Sequence, residues 1–154
     1  MLVSRHVIIS FLIALVLYPF FGLYSILFFL SGFLIDVDHY MEYAIANKDV
    51  NLFNCLRFFN ESSHKNIKLL KAGKAEEEDK IYFHIFHSFE FIILLGVLSF
   101  FSKILFFVFL GVLSHVLLDL VNLAYLKAKF GGKIRRTRNY SAIIFFIERT
   151  RLNR

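Results

Sequence analysis

VIISFLIALVLYPFFGLYSILFFLSGFLI, running from Val7 to Ile35, decides how this chain folds. It carries no charge, and an apolar run of about 18 residues or more reads as membrane-embedded. Pro19 and Gly22 interrupt it. A proline in a helix interior removes a hydrogen bond and clashes with the preceding turn, so Tyr18-Pro19-Phe20-Phe21-Gly22 is either a kink or a tight turn. As a kink, the run makes one helix of about 44 Å, longer than the ~30 Å hydrocarbon core. As a turn, it makes two short helices in a hairpin that dips into the bilayer. The hairpin is the expected form, for a reason that comes from the ionisable residues. Residues 1–5 carry one charge, Arg5, before the run, which is too long for a signal-peptide core and has no clear cleavage site, so it reads as retained.

Working outward, residues 36–50 continue helically and residues 51–80 are polar and charge-mixed, ending in Glu76-Glu77-Glu78-Asp79-Lys80. Residues 81–102 form a third apolar helix, and Ser102-Lys103 separates it from a fourth at 104–126. The expectation is an all-α fold: a small membrane-embedded bundle of four apolar helices in two hairpins, near 4–19, 21–46, 82–101 and 104–127. A polar helical stretch within 50–75 belongs to an excursion at about 47–80. Residues 1–126 make the membrane domain and residues 127–154 a basic tail, in which residues 140–147 (YSAIIFFI) are an apolar, interfacial segment.

Composition agrees. Of 154 residues 58% are hydrophobic, and the mean hydropathy is +0.63. That excludes a disordered chain, and the single cysteine, Cys55, excludes an intrachain disulfide or a CxxC knuckle. Net charge is +6, and nine Lys/Arg follow Leu126 against one acid, Glu148. Because that tail directly follows an apolar span, its expected partner is a surface of anionic lipid head groups rather than nucleic acid. Arg5, Lys65, Lys68, Lys71, Lys74 and the tail lie at one end of the expected bundle, with Lys103 alone at the other. The positive-inside rule then places both termini on the cytoplasmic side of an inner or plasma membrane.

Ionisable groups within membrane helices are costly and are functional candidates by default. Here they are His6, Asp36, Asp38, His39, Glu42, His84, His87, Glu90, His115 and Asp119. Asp36-Val37-Asp38-His39 packs three possible ligands into four residues, His115 and Asp119 are i,i+4 on one helix face, and His84, His87 and Glu90 step by three along the third helix. Counting from a turn near Ser102 puts His87, His115 and Asp119 at roughly 20–25 Å along their hairpin. Counting from Pro19–Gly22 puts His6 and Asp36 level at about 20 Å. A single kinked helix would separate His6 from Asp36, which favours the hairpin. A lone histidine would be an ordinary core residue bonded to a carboxylate. A level set of histidines and carboxylates is different, since burying unpaired carboxylates costs several kcal/mol each and a divalent cation offsets that.

These residues resemble the membrane-bound metal-dependent hydrolase family, also called the LexA-binding, inner-membrane-associated hydrolases, which is distantly similar to zinc-dependent phospholipase C. The resemblance covers residues 1–126 and rests on His6, the DxDH motif Asp36–His39, His87-Ser88, and Ser114-His115-x-x-x-Asp119. Of the family's HRxxTHS-like segment only the second half is present, as Phe86-His87-Ser88. The resemblance implies a reaction class and no substrate.

With oxygen and imidazole donors and no thiolate, the expected ion is zinc or manganese, one or two per chain. His6, Asp38, His84, His87, His115 and Asp119 are the candidate ligands, and Asp36 and His39 are ligands or orient one. Glu90, Glu42 or Asp36 is the candidate general base. Together these predict hydrolysis of phosphoesters, such as phospholipid head groups, at the cytoplasmic face. The competing expectations are a non-catalytic membrane protein that binds or carries metal or protons, and a scaffold whose tail binds a partner.

Overall fold

The computed structural model describes residues 3–74, 84–131 and 141, and over these it is helical, with no strand. The segment 140–147, apart from Ser141, and the acidic run 76–79 lie outside the described residues. Val3–Phe21 (α1) and Tyr24–Leu34 (α2) form the expected hairpin. Its turn is made by Gly22, at φ +55°, a backbone state open to glycine without Cβ strain. Pro19 sits inside the last turn of α1, where Gly22 N–H still reaches the Tyr18 carbonyl at 2.8 Å.

The single helix expected over 21–46 is broken at Ile35-Asp36, and Val37–Asn47 forms a separate α3. Asp36 opens α3 without capping it by its side chain. Its carboxylate is turned instead toward two histidines of other elements, described below. Lys48, in the left-handed region at φ 52°, ends α3. The polar helix expected within 50–75 is α4, Leu52–Lys71. Asn51 caps it by accepting from Phe53 N–H at 2.9 Å and Asn54 N–H at 3.3 Å. Asn51→Ala should loosen the first turn of α4 by about 1 kcal/mol, which amide hydrogen exchange would read as about fivefold faster exchange there. Unchanged exchange would refute this role of the cap.

The third apolar helix is corrected more substantially. It starts at Phe89 rather than near 82, as α5 (Phe89–Leu98), followed by a 3₁₀ turn at Ser99–Phe101. Ser88 is its cap, accepting from Phe91 N–H at 3.3 Å. His84 and His87 therefore lie on the turn-rich segment before the helix, not in a stripe along it. Lys103–Phe130 (α6) is the one described helix long and apolar enough to cross a membrane, while Arg5–Phe21 and Phe89–Phe101 are shorter apolar helices.

α2 lies between α1 and α6 and packs chiefly on both. Glycines permit the closest approach. A Cβ on Gly111 would overlap the Phe28 carbonyl and the Ser31 hydroxyl, and one on Gly32 would lie 2.9 Å from Ser10 Oγ. Phe28, Ala14 and Phe107 fill one small core, and Ile35, Ile92, Leu95, Val112 and Val116 another. His6, Ser10, Ser25, His87, Ser88 and His115 are buried, whereas Val16, Phe20, Leu23, Phe100 and Phe101 are exposed.

Candidate metal centre

Four parts of the chain converge on one buried array. α1 contributes His6, the α2–α3 junction Asp36, Asp38 and His39, the segment before α5 His84 and His87, and α6 His115 and Asp119. The i,i+4 spacing puts His115 and Asp119 on one face of α6, and their side chains lie 3.6 Å apart, Nε2 to Oδ2. His6 stacks on His115 with ring centroids 3.9 Å apart, and its Nε2 lies 3.1 Å from Asp119 Oδ1. The residues that the hairpin count placed level meet here, although His87 reaches the array from the turn before α5 and not along a helix as the count assumed.

The centre of the array is set by two hydrogen bonds at its edge. His115 Nδ1 donates to the Gly32 carbonyl at 2.7 Å, which leaves Nε2 pointing inward. His87 Nδ1 donates to Asp38 Oδ2 at 3.0 Å, which fixes the same tautomer. The two Nε2 atoms then face each other at 3.3 Å. Asp36 Oδ1 completes a triangle, 3.4 Å from His115 Nε2 and 3.5 Å from His87 Nε2. Three such atoms in so small a triangle repel one another unless a proton or a metal ion lies among them. Donors on a tetrahedral zinc at 2.0–2.1 Å are separated by about 3.3–3.4 Å, so the spacing fits.

Burial alone would raise the Asp36 carboxyl, but His115 and His87 beside it hold it well below the usual carboxylate range. Burial would lower His87, but hydrogen bonding to Asp36 and Asp38 outweighs it and pushes the imidazole up to about 9. Burial, reinforced by neighbouring His39, pushes His84 down to about 3, so its ring is neutral at pH 7. The carboxylates therefore favour a positive charge within the Asp36–His87–His115 triangle, whether a proton on His87 or a metal ion.

His39 and His84 adjoin this centre with ring centroids 4.0 Å apart, and His84 Nε2 lies 3.5 Å from Glu42 Oε2. Asp38, expected as a ligand, has its Oδ2 occupied by His87 and by Phe86 N–H at 3.3 Å. Glu90 does not join the groupings: it stands in the first turn of α5 and accepts from Ser141 Oγ at 2.7 Å. His64, read as an exposed residue, is exposed on α4. Two contributors went unforeseen, the Gly32 carbonyl and the Phe86 amide. Both are backbone groups, which leave no mark in residue identity.

Three groupings of buried or half-buried side chains are thus able to hold a metal ion: His6, His115 and Asp119; Asp36, His87 and His115; and Asp38, His39 and His84. The first two share the single inward nitrogen of His115, so an ion at one excludes His115 from the other. No family model, characterised protein or solved structure matches the chain, and the hydrolase resemblance rests on its motifs alone.

Proposed function

We propose that the protein is an integral membrane, metal-dependent hydrolase of phosphoesters, and that its principal ion is held by Asp36, His87 and His115. The observation that carries this is the triangle of converging atoms at 3.3, 3.4 and 3.5 Å. Asp119 Oδ2, 3.6 Å from His115 Nε2, belongs with His6 to the adjoining grouping rather than to this triangle. Zinc suits these donors best and manganese next, because no thiolate is present and Cys55 is buried on α4.

Membrane insertion is supported by the distribution of side chains. The interior of the helical bundle holds histidines and serines, and its outside holds Val16, Phe20, Leu23, Phe100 and Phe101. Apolar surface this extensive is stable against lipid and aggregation-prone in water. The four apolar helices α1, α2, α5 and α6 make the two-hairpin bundle of this reading, with the exposed lysines of α4 and both termini on the cytoplasmic side.

A divalent ion in such a site supplies Lewis acidity and lowers the pKa of a bound water. The chain's own groups do the rest. Asp38 orients His87, the Gly32 carbonyl orients His115, and the surrounding apolar helices exclude bulk water. Of the three carboxylates considered as base, Asp36 lies among the ligands and Glu90 is engaged with Ser141, which leaves Glu42 beside His84 for proton transfer. The lysines of α4, on the cytoplasmic side in this reading, suit an anionic lipid or another phosphorylated membrane substrate.

A second reading is favoured by His87 itself. Its raised pKa allows one proton, rather than a metal ion, to sit between the two rings, as in a protein that binds or carries protons. Metal analysis of the detergent-purified full chain separates the two. The hydrolase reading expects at least one zinc or manganese per chain, retained at pH 8 and lost as pH falls through the histidine range, because protons compete for the imidazoles. Metal-free protein that takes up none when supplied with either ion would leave the proton reading standing.

A further inference from the structure

The groups left over by the principal site form a second constellation. Asp38 Oδ2 is committed to His87 and the Phe86 amide, and that pair of bonds turns Oδ1 toward His84. Asp38 Oδ1 and His84 Nδ1 face each other at 4.0 Å, and both are buried with no hydrogen-bond partner. The gap is too long for a hydrogen bond. It is also shorter than the roughly 4.5 Å spanned by a water bonded to both. It does suit two donors of one ion at about 2.1 Å each, which lie about 3.4 Å apart in a tetrahedron and about 4.2 Å apart on opposite sides. His39 Nδ1 is a third buried nitrogen with no hydrogen-bond partner beside them.

We infer that Asp38, His39 and His84 form a second divalent-cation site, distinct from the Asp36–His87–His115 site, weaker than it and nearer the surface. Weakness follows from geometry. Asp38 Oδ1 and His84 Nδ1 are 4.0 Å apart, longer than any side of the first triangle, so a tetrahedral ion draws them together by about half an ångström. The second site lies nearer the surface, since His115 is fully enclosed whereas the His39 side chain is 31% exposed, although the three ligand atoms are themselves buried. Asp38 links the sites, with one oxygen on the ring that supports the first ion and the other on the second ion. Glu42 lies beside this second site, with its Oε2 3.5 Å from His84 Nε2.

This rests on the first site being a metal site, and zinc stoichiometry distinguishes the two claims. The full chain, purified in detergent, is equilibrated with micromolar zinc and then exposed briefly to a chelator. Two zinc ions per chain before the chelator and one after are expected, with the second bound at least about tenfold more weakly, the scale set by loosened ligand support. His84→Ala should hold one ion throughout, and retention of that ion shows that the variant is folded. His39→Gln should behave likewise. A wild-type chain with one ion, matched by His84→Ala, would overturn the second site and leave the first intact. A wild-type chain with none would overturn both. Loss of both ions in His84→Ala and in His39→Gln alike would overturn the claim that the sites are separate.

Discussion

His115→Ala should abolish tight metal binding, by more than about 100-fold, and leave the protein in the membrane fraction. The ring is the hub of the array. Its Nε2 is 3.3 Å from His87 Nε2, 3.4 Å from Asp36 Oδ1 and 3.6 Å from Asp119 Oδ2, and its face stacks on His6. Removing it deletes a donor and leaves two buried carboxylates facing a void. The loss should thus exceed the 10–100-fold typical of groups that merely orient a ligand. Asp38→Asn falls in that smaller range, because an amide oxygen still accepts from His87 Nδ1 without the negative charge. His64→Ala is the control, since His64 is exposed on α4 and belongs to no grouping. Metal content of washed membranes and purified protein reads all three. Full metal retention by His115→Ala would remove the basis for the proposed chemistry.

Much of this centre was legible in the sequence because cost leaves a trace. A carboxylate or imidazole within an apolar run has no cheap reason to be there, so His6, Asp36, His115 and Asp119 could be picked out and levelled by counting along two hairpins. What failed was the backbone between them. Residues 84–88 carry a period-three pattern that reads as helix, yet the chain turns there and α5 waits for Ser88. The signal was present: a serine whose side chain caps Phe91 N–H, with an acid, Glu90, in the first turn, is a helix start. The aromatic and apolar flanks outweighed it. The break at Ile35-Asp36 was hidden for the opposite reason. Asp36 bends the chain to serve His87 and His115, and a requirement set by distant residues has no local pattern.

The second large effect is expected from a residue with no side chain. Gly111→Ala should weaken metal binding by roughly 10–100-fold although Gly111 touches no ligand. An added Cβ would overlap the Phe28 carbonyl and the Ser31 hydroxyl of α2. The hydroxyl can rotate, but the carbonyl is helix backbone and cannot, so α2 and α6 must separate. Alanine gains about 1 kcal/mol in helix propensity over glycine, yet overpacking a tight contact costs about 1–3 kcal/mol, and the overlap wins. The separation falls one turn from the bond in which His115 Nδ1 donates to the Gly32 carbonyl at 2.7 Å. Once that bond is lost the imidazole is free to change tautomer and tilt, and its Nε2 no longer points into the triangle; outer contacts of this kind are worth 10–100-fold in affinity. Gly96→Ala on α5 separates this from a general effect of losing a helical glycine. There the nearest atom is the Phe109 ring at 3.2 Å, a side chain able to shift, and no ligand lies behind it. Gly96→Ala should keep its metal, and Gly111→Ala should regain part of it when Ser31 is also replaced by glycine, which removes one of the two overlaps. Equal metal content in the Gly96 and Gly111 variants would show that helix spacing does not control the His115 ring.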